Sequence, residues 1–291
     1  MQKTWFITGA SRGFGRIWAQ AALRRGDQVT ATARNLADVA ELRKEFGAAA
    51  LPLALDVTSD QQVRQAVQQA STHFGRLDVL VNNAGMNLFA ATEEAGDEQI
   101  RTIFDANYLG VVRVIRAALP LLRRQGSGHI LGVSSGLGIT SAPFFGFYSA
   151  TKWAMESLHE SLAQEVKSFG IKVTLIEPES FVTGFSQSGQ FAAGLEPYDE
   201  LRRQFLPLLA NRPQGDPNAT AEAILKLVDS NNPPLRLGLG NSILPRARAA
   251  YADRLATWEA WQDVANAAMG QPTRNAEPWI QQMIQTLADK L

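Results

Sequence analysis

A tyrosine and a lysine four positions apart indicate acid–base chemistry. Tyr148 and Lys152 open a stretch with helical periodicity, so both side chains belong to one helix face. Ser135 lies thirteen positions before Tyr148, just after an apolar run that would end as a strand. Because a nearby ammonium favours the ionised form of a phenol, we expect the pKa of the tyrosine to lie below its ordinary value of about 10. The three residues together predict a proton-transfer site.

A glycine-rich turn near the N-terminus predicts a phosphate site. Glycines there permit positive φ and close approach of the backbone, and the following helix offers free N–H groups. The spacing is G-x-x-x-G-x-G, which differs from the common dinucleotide fingerprint. A tight turn needed only for strand–helix packing is the alternative. The residues predicted to line the phosphates are Gly9, Ser11, Arg12, Gly13, Phe14 and Gly15.

The end of the second apolar run predicts which dinucleotide binds. An acid about 20 residues after the turn usually holds the ribose 2′-OH of NAD, whereas an arginine suits a 2′-phosphate. Arg34 stands at that place, no acid lies within residues 28–37, and Arg12 lies in the turn. Two guanidiniums can clasp a phosphate, so the pattern favours NADP(H) over NAD(H). Two solvated surface arginines are the alternative.

Short apolar runs alternate with amphipathic helices over the first two thirds of the chain. This βα rhythm predicts an α/β domain with a doubly wound parallel sheet, which binds ligands at the carboxyl ends of its strands. We expect one domain over residues 1–245, with a mobile substrate lid near residues 181–209 and a helical extension over residues 246–291. The predicted strands are residues 3–8, 28–33, 51–55, 78–81, 129–133, 172–176 and 235–239.

Composition excludes several classes of protein. The chain has 291 residues, in which 28 basic side chains balance 28 acidic ones, so we expect no nucleic-acid partner. No cysteine is present, which rules out disulfides, iron–sulfur clusters and a thiol nucleophile. The three histidines have no metal-ligand spacing, and we expect no metal. The N-terminus lacks a signal-peptide pattern and the uncharged stretch 130–151 is rich in serine and glycine, so we expect a cytoplasmic protein without a membrane partner.

Taken together, these patterns closely resemble the classical short-chain dehydrogenase/reductase (SDR) family, from residue 3 to about residue 183. Five motifs occur in the family's order, which makes a chance match implausible. They are the glycine turn, Asp56 after the third strand, Asn82-Asn83-Ala84-Gly85 after the fourth, Asn107 in the long helix, and Ser135 with Tyr148-x-x-x-Lys152.

The resemblance implies a Rossmann-like fold and NADP(H)-linked hydride transfer between a ketone and a secondary alcohol. Tyr148 would be the general acid or base, with Ser135 holding the substrate oxygen. Lys152 would hold the nicotinamide ribose and lower the tyrosine pKa, and Asn107 would anchor a water of a proton relay. The further cofactor-binding residues that the resemblance implies are Asp56, Val57, Asn83, Ala84, Gly85, Pro178, Phe181 and Thr183, besides Tyr148 and Lys152.

One departure and one excess concern the substrate side. The family usually has Pro-Gly after the sixth strand, whereas this chain has Pro178-Glu179, so the role of the following Thr183 needs testing. Half of the 14 phenylalanines fall in the segments that would surround the substrate. An apolar pocket suits a hydrophobic, aromatic or polycyclic carbonyl compound or alcohol. The predicted pocket residues are Phe89, Phe144, Phe145 and Phe185.

Two other functions stay open at this point. An SDR-type epimerase or dehydratase also uses tyrosine and lysine, but with a different first glycine turn. A non-catalytic NADP sensor on the same fold usually loses the tyrosine or the lysine, and both are present here. A homo-oligomer, as a dimer or a tetramer, is also left open. Trp258, Trp261 and Trp279 in the C-terminal extension are expected to pack within the chain rather than at a subunit contact.

Overall fold

A computed structural model describes residues 2–270 and 278–289. The strands are β1 (Thr4–Ile7), β2 (Gln28–Ala33), β3 (Ala50–Ala54), β4 (Val79–Asn82), β5 (Leu88–Phe89), β6 (Gly128–Val133), β7 (Ile171–Pro178), β8 (Gln190–Phe191) and β9 (Arg236–Leu239). The helices are α1 (Gly13–Arg24), α2 (Ala37–Phe46), α3 (Asp60–Phe74), α4 (Asp97–Phe104), α5 (Gly110–Gln125), α6 (Gly146–Glu165), α7 (Asp199–Ala210), α8 (Thr220–Asp229), α9 (Ile243–Ala260), α10 (Gln262–Met269) and α11 (Pro278–Ala288).

Seven strands form one parallel sheet in the order β3-β2-β1-β4-β6-β7-β9. The predicted doubly wound, Rossmann-like fold is confirmed, and each of the seven predicted strands lies within two residues of an observed one. The chain starts at β1, winds to one edge through β3, and returns to continue from β4. The carboxyl ends of β1 and β4 therefore flank the topological switch point, where such sheets bind ligands.

Two cores hold the helices against the two faces of the sheet. Successive side chains of a strand point to opposite faces, and β1 feeds both cores in this way. Trp5 and Ile7 pack with Trp18 of α1 and Leu42 of α2. Phe6 packs on the other face, in the core that α3, α5 and α6 share. This three-layer packing fixes the strand ends that carry the candidate site.

Three local features lie outside the predicted pattern. β5 and β8 pair in parallel over two residues each, although about a hundred residues separate them. The expected lid segment contains helix α7, although the segment has glycines before the helix and the helix itself contains Pro207. Residues Asp105–Leu109 form a π-helical turn between α4 and α5. Such turns often occur at functional sites.

The chain divides into two compact units, residues 1–247 and residues 248–291. The first unit contains the whole sheet. In the second, the Trp258, Trp261 and Trp279 side chains are 62%, 64% and 59% exposed, and their packing within the chain stays a prediction. In the part of the chain that the structure describes, no helix combines the length and the apolarity needed to cross a membrane.

Candidate active site

The glycine turn after β1 is bound to the loop after β4. The Thr8 hydroxyl accepts hydrogen bonds from the backbone N–H groups of Asn83 and Ala84, both at 3.0 Å. Asn83 Nδ2 donates to the backbone oxygens of Thr8 and Gly9 at 2.9 Å. Gly9 has φ +67°, and a Cβ on Gly15 would lie 2.5 Å from the Gly9 oxygen. The packing therefore requires glycine at both positions.

The first turn of α1 has the properties of a phosphate cradle. Arg12 stands at the N-cap without a side-chain cap, and the first turn carries no acid. Its N–H groups and partial positive charge thus suit an anion. Ser11 is half-buried beside it. Gly13 has φ +56°, and a Cβ there would lie 3.0 Å from Thr183 Cβ, so Thr183 borders the turn. These residues fit the pyrophosphate of a dinucleotide.

The residues predicted to select the adenosine lie along the next two strand ends. Arg34 follows β2 and is exposed, as is Arg12. Asp56 follows β3, and its Oδ1 accepts from the backbone N–H and the hydroxyl of Thr58 at 2.9 and 2.8 Å. Val57 packs so closely on α5 that a Cβ on Gly110 would lie 2.8 Å from it. The structure therefore holds this edge in place from both sides.

The three proton-transfer candidates come together at the end of β6 and the start of α6. The Tyr148 phenol is buried and hydrogen-bonded to Ser135. The Ser135 hydroxyl also accepts from the Leu137 N–H at 3.1 Å. Lys152 Nζ lies 5.6 Å from the centre of the tyrosine ring and donates to the Val133 oxygen at 2.7 Å. The predicted Ser–Tyr–Lys group is thus assembled in space.

Burial dominates the ionisation of this group. It raises the pKa of Tyr148 to about 12, against a smaller lowering by the hydrogen bond to Ser135. It also lowers the pKa of Lys152 to about 8. The direction for Tyr148 is opposite to the sequence-based expectation, because the loss of solvent around the phenolate is the largest effect on its pKa.

Asn107 lies in the π-helical turn and is fully buried. Its amide accepts from the Met86 N–H and donates to the Met86 oxygen, both at 2.8 Å, and also donates to Thr151 Oγ1 at 3.1 Å. A Cβ on Gly85 would lie 3.2 Å from Asn107 Oδ1 and 3.9 Å from Lys152 Nζ. Gly85 is therefore the spacer between the asparagine and the lysine, and the water relay stays a prediction.

Glu179, the departure from the family pattern, points to the start of α9. Its carboxylate accepts a short hydrogen bond from the Ser242 N–H, one residue before α9 begins. A Cβ on Gly240 would lie 2.5 Å from the Glu179 carboxyl carbon. Sequence reasoning missed this helix cap, because its acceptor and donor lie sixty-three residues apart. Pro178 ends β7 and Thr183 borders the glycine turn, and their contacts with the cofactor stay a prediction.

Aromatic rings gather next to Tyr148. Phe89 stacks on Phe144 at 5.0 Å and meets Phe145 edge-on at 5.5 Å, while Phe185 lies 5.8 Å from the Tyr148 ring. Phe205 of α7 adds a ring that sequence reasoning missed, 5.9 Å from Phe144. Three of the four predicted pocket phenylalanines thus contact one another, and the fourth, Phe185, contacts Tyr148.

Two aromatic residues predicted to bind cofactor have their rings in the core. Phe14 stacks on Trp18 at 5.1 Å and meets Phe181 edge-on at 5.2 Å. Phe181 in turn fills the space that a side chain at Gly215 would need, with its Cε1 2.6 Å from that Cβ position. Their rings anchor the first helix and the segment after β7, and only their backbones remain for the cofactor.

The chain is similar in sequence to known oxidoreductases. The short chain dehydrogenase family matches residues 3–190. An oxidoreductase of Botryotinia fuckeliana, BOA17, is 41% identical over 92% of this chain and all of that protein. A 3-ketodihydrosphingosine reductase of Bacteroides thetaiotaomicron is 38% identical over 80% of this chain and 86% of that protein.

Solved structures agree. A short-chain dehydrogenase from Streptomyces avermitilis superposes with a TM-score of 0.84 and 36% identity, covering 92% of this chain and 98% of that one. An alcohol dehydrogenase from Thermococcus sibiricus, complexed with 5-hydroxy-NADP, superposes with a TM-score of 0.69 and 27% identity, covering 82% of this chain and 96% of that one.

Proposed function

The chain belongs to the short-chain dehydrogenase/reductase family, and on that premise we propose that it is an NADP(H)-dependent oxidoreductase of hydrophobic ketones and secondary alcohols. The observation that carries the proposal is the buried group at the end of β6, where Tyr148 is hydrogen-bonded to Ser135 beside Lys152. Phe185 lies against the Tyr148 ring, and Lys152 lies close to Gly85, in the loop that is bonded to the glycine turn.

The glycine turn, Arg12 and Arg34 support NADP(H) as the cofactor. The backbone of Gly9 to Gly15 and the uncapped start of α1 would hold the pyrophosphate. Arg12 and Arg34 would hold the 2′-phosphate, since both are exposed and no acid stands at the end of β2. When bound, the cofactor supplies or accepts the hydride.

The chain's own residues handle the proton and the substrate oxygen. In ketone reduction, the Tyr148 hydroxyl donates its proton to the oxygen that becomes the alcohol, and in oxidation the phenolate takes it back. The Ser135 hydroxyl donates to the same oxygen and fixes its position. Lys152 stabilises the phenolate by its charge. It also passes protons between Tyr148 and the relay at Asn107. A pKa of about 12 keeps Tyr148 protonated, which suits its role as the acid in reduction.

The phenylalanine cluster supports an apolar substrate. Phe89, Phe144, Phe145 and Phe185 exclude water from the carbonyl and contribute few polar groups. The similarity to a 3-ketodihydrosphingosine reductase is consistent with a ketone on a long hydrophobic chain. A hydrophobic ketone is therefore the substrate class that we expect.

The decisive experiment is NADPH consumption by the purified protein against a panel of aliphatic, aromatic and polycyclic ketones. NADH serves as the control for cofactor choice, and small polar ketones serve as the control for the pocket. We expect oxidation of NADPH with the hydrophobic ketones. NADPH binding without turnover on any carbonyl or alcohol would instead favour the sensor alternative. Such sensors usually lose the tyrosine or the lysine, whereas both are present in this chain.

A further inference from the structure

One turn beyond Lys152 on α6 begins a partly buried group of charges that the proposed chemistry does not use. Glu156 follows Lys152 by one turn of α6, and its side chain is only 12% exposed. Its Oε2 accepts from Arg236 Nε of β9 at 3.0 Å. Arg236 Nη2 bonds the more exposed Glu160 at 2.8 Å, and Arg236 Nε lies 3.6 Å from Glu177 of β7.

The other carboxylate oxygen of Glu156 faces the active-site strand. A Cβ on Gly138 would lie 2.5 Å from Ser134 Oγ and 3.1 Å from Glu156 Oε1, so these two atoms occupy one small space. Ser134 is the neighbour of Ser135, and Val133, just before it, accepts the Lys152 hydrogen bond. Ser134 Oγ and Glu156 Oε1 therefore lie close to one another, one residue along the chain from Ser135.

We propose that Glu156 is a positioning residue for Lys152, a carboxylate clamped by Arg236 that keeps the buried lysine amine positively charged. The inference rests on the proposed function, in which that charge acts on Tyr148 and on the cofactor. Arg236 is needed in turn, because an isolated carboxylate at this depth would be neutral. Glu160 bonds to the same arginine at the surface, and it lies two helical turns from Lys152 rather than one.

The electrostatics point the same way. Burial lowers the pKa of Lys152 to about 8, and Glu156 is the group that raises it. Tyr148 titrates far above this range, at about 12, and His159 far below it, at about 4. Glu177 has a pKa raised to about 7 and is ionised in alkaline solution. The pKa of Glu177, about 7, lies close to that of Lys152, about 8, so the Lys152→Met variant is needed to assign the loss of a proton near pH 8.

The test is the NADPH dissociation constant measured across neutral and alkaline pH by fluorescence. In the wild type we expect affinity to fall as the Lys152 ammonium loses its proton, because the cofactor is an anion. Glu156→Gln keeps the shape and removes the charge, so it should move this limb to lower pH by on the order of one unit. Glu156→Asp keeps the negative charge, so its limb should lie close to the wild-type pH. This variant also keeps the test valid if the Gln variant fails to fold.

Two controls make the result specific. Glu160→Gln removes a charge from the same helix and the same arginine but from the surface, and it should leave the limb where it is. Lys152→Met should abolish the limb. If Lys152→Met abolishes it while Glu156→Gln leaves it in place, or if Glu156→Gln and Glu160→Gln shift it equally, the role of Glu156 is overturned. If Lys152→Met leaves both affinity and limb unchanged, the proposed function of Lys152 fails instead.

Discussion

At the scale of single residues, Tyr148 carries the proton in the proposed reaction. Tyr148→Phe keeps the ring in the aromatic cluster and removes the proton. We expect ketone reduction to fall by roughly 10²–10⁴-fold, because that is the usual worth of general acid–base assistance. NADPH affinity should stay near the wild-type value. Steady-state rates and fluorescence titration measure both, with Tyr251→Phe, an exposed tyrosine, as the matched control. A Tyr148→Phe enzyme with most of its kcat would refute the assignment.

Arg34 tests the choice of cofactor. Charge-assisted bonds from a guanidinium to the 2′-phosphate exist only with NADP, so Arg34→Asp should lower the ratio of kcat/KM for NADPH over NADH by roughly ten- to a hundredfold. The change should appear mainly in KM. Arg124→Asp, the same charge change at an exposed position of α5, is the control. An unchanged ratio in Arg34→Asp, or a wild type that prefers NADH, would contradict the role of this strand end.

Glu177, one of the carboxylates around Arg236, makes the stability of the protein depend on pH. Burial and the nearby Glu156 raise its pKa from 4.5 to about 7, so folding favours the protonated form. Its contribution to stability is therefore full below about pH 4.5 and is lost as the pH rises through about 7. Glu177→Gln mimics the protonated form at every pH. We expect it to melt a few degrees above the wild type near pH 8, with the gap closing toward pH 5. A gap that does not depend on pH would mean that folding does not oppose the charge on Glu177.

At the scale of elements, the buried carboxylate of Glu94 connects helix α7 to the loop before α4. The Glu94 side chain is 1% exposed. It accepts from the Ala91 and Leu195 N–H groups at 2.7 and 2.8 Å and pairs closely with Arg202 of α7. Arg202 also lies over the Phe144 ring at 5.2 Å. This contact ties α7 to the phenylalanine cluster.

Closure of the segment 181–209 stays a prediction, and Glu94 offers a way to test it. Glu94→Gln removes the charge that α7 bonds to, so we expect faster hydrogen exchange and proteolysis in residues 190–210 and a higher KM for the ketone. Glu98→Gln, an exposed neighbour on α4, is the control. In the wild type, exchange in this segment should slow when NADPH and a ketone are both bound. Equal protection with and without them would remove the idea of a lid.

Backbone strain occurs in the loop before α6. Phe144 is buried and has φ +64°, a left-handed conformation that a bulky side chain rarely adopts. Its oxygen accepts from the Ala90 N–H at 2.9 Å, which joins the loop before α6 to the end of β5. The strained residue therefore sits where two pocket segments meet, and its ring stacks on Phe89.

At the scale of the whole molecule, the sheet and the proton-transfer group were predictable, whereas the charge group was not. Strands and helices follow from local periodicity, and Ser135, Tyr148 and Lys152 follow from short spacings at strand and helix ends. Arg236, Glu177 and Glu156 lie on three separate elements, and no local pattern brings them together. The raised pKa of Tyr148 was missed for the same reason, since burial depends on the packing of the entire domain.

The remaining errors also involve long-range contacts. The helix α7 was missed because glycines nearby and Pro207 within it weaken its local signal, while Arg202 bonded to Glu94 holds it in place.

The parallel pairing of β5 with β8 has a consequence for how the protein folds. β5 can form its ladder only after β8 has reached it. The pairing of Leu88 with Gln190 and of Phe89 with Phe191 therefore closes a loop of about a hundred residues and gains only two residue pairs. Loop closure on that scale is entropically costly and slow, whereas the β1–β2 and β1–β4 ladders connect nearer parts of the chain. We therefore expect the half of the domain with the glycine turn to form before the phenylalanine cluster does. In refolding experiments, NADPH binding should return before ketone reduction does.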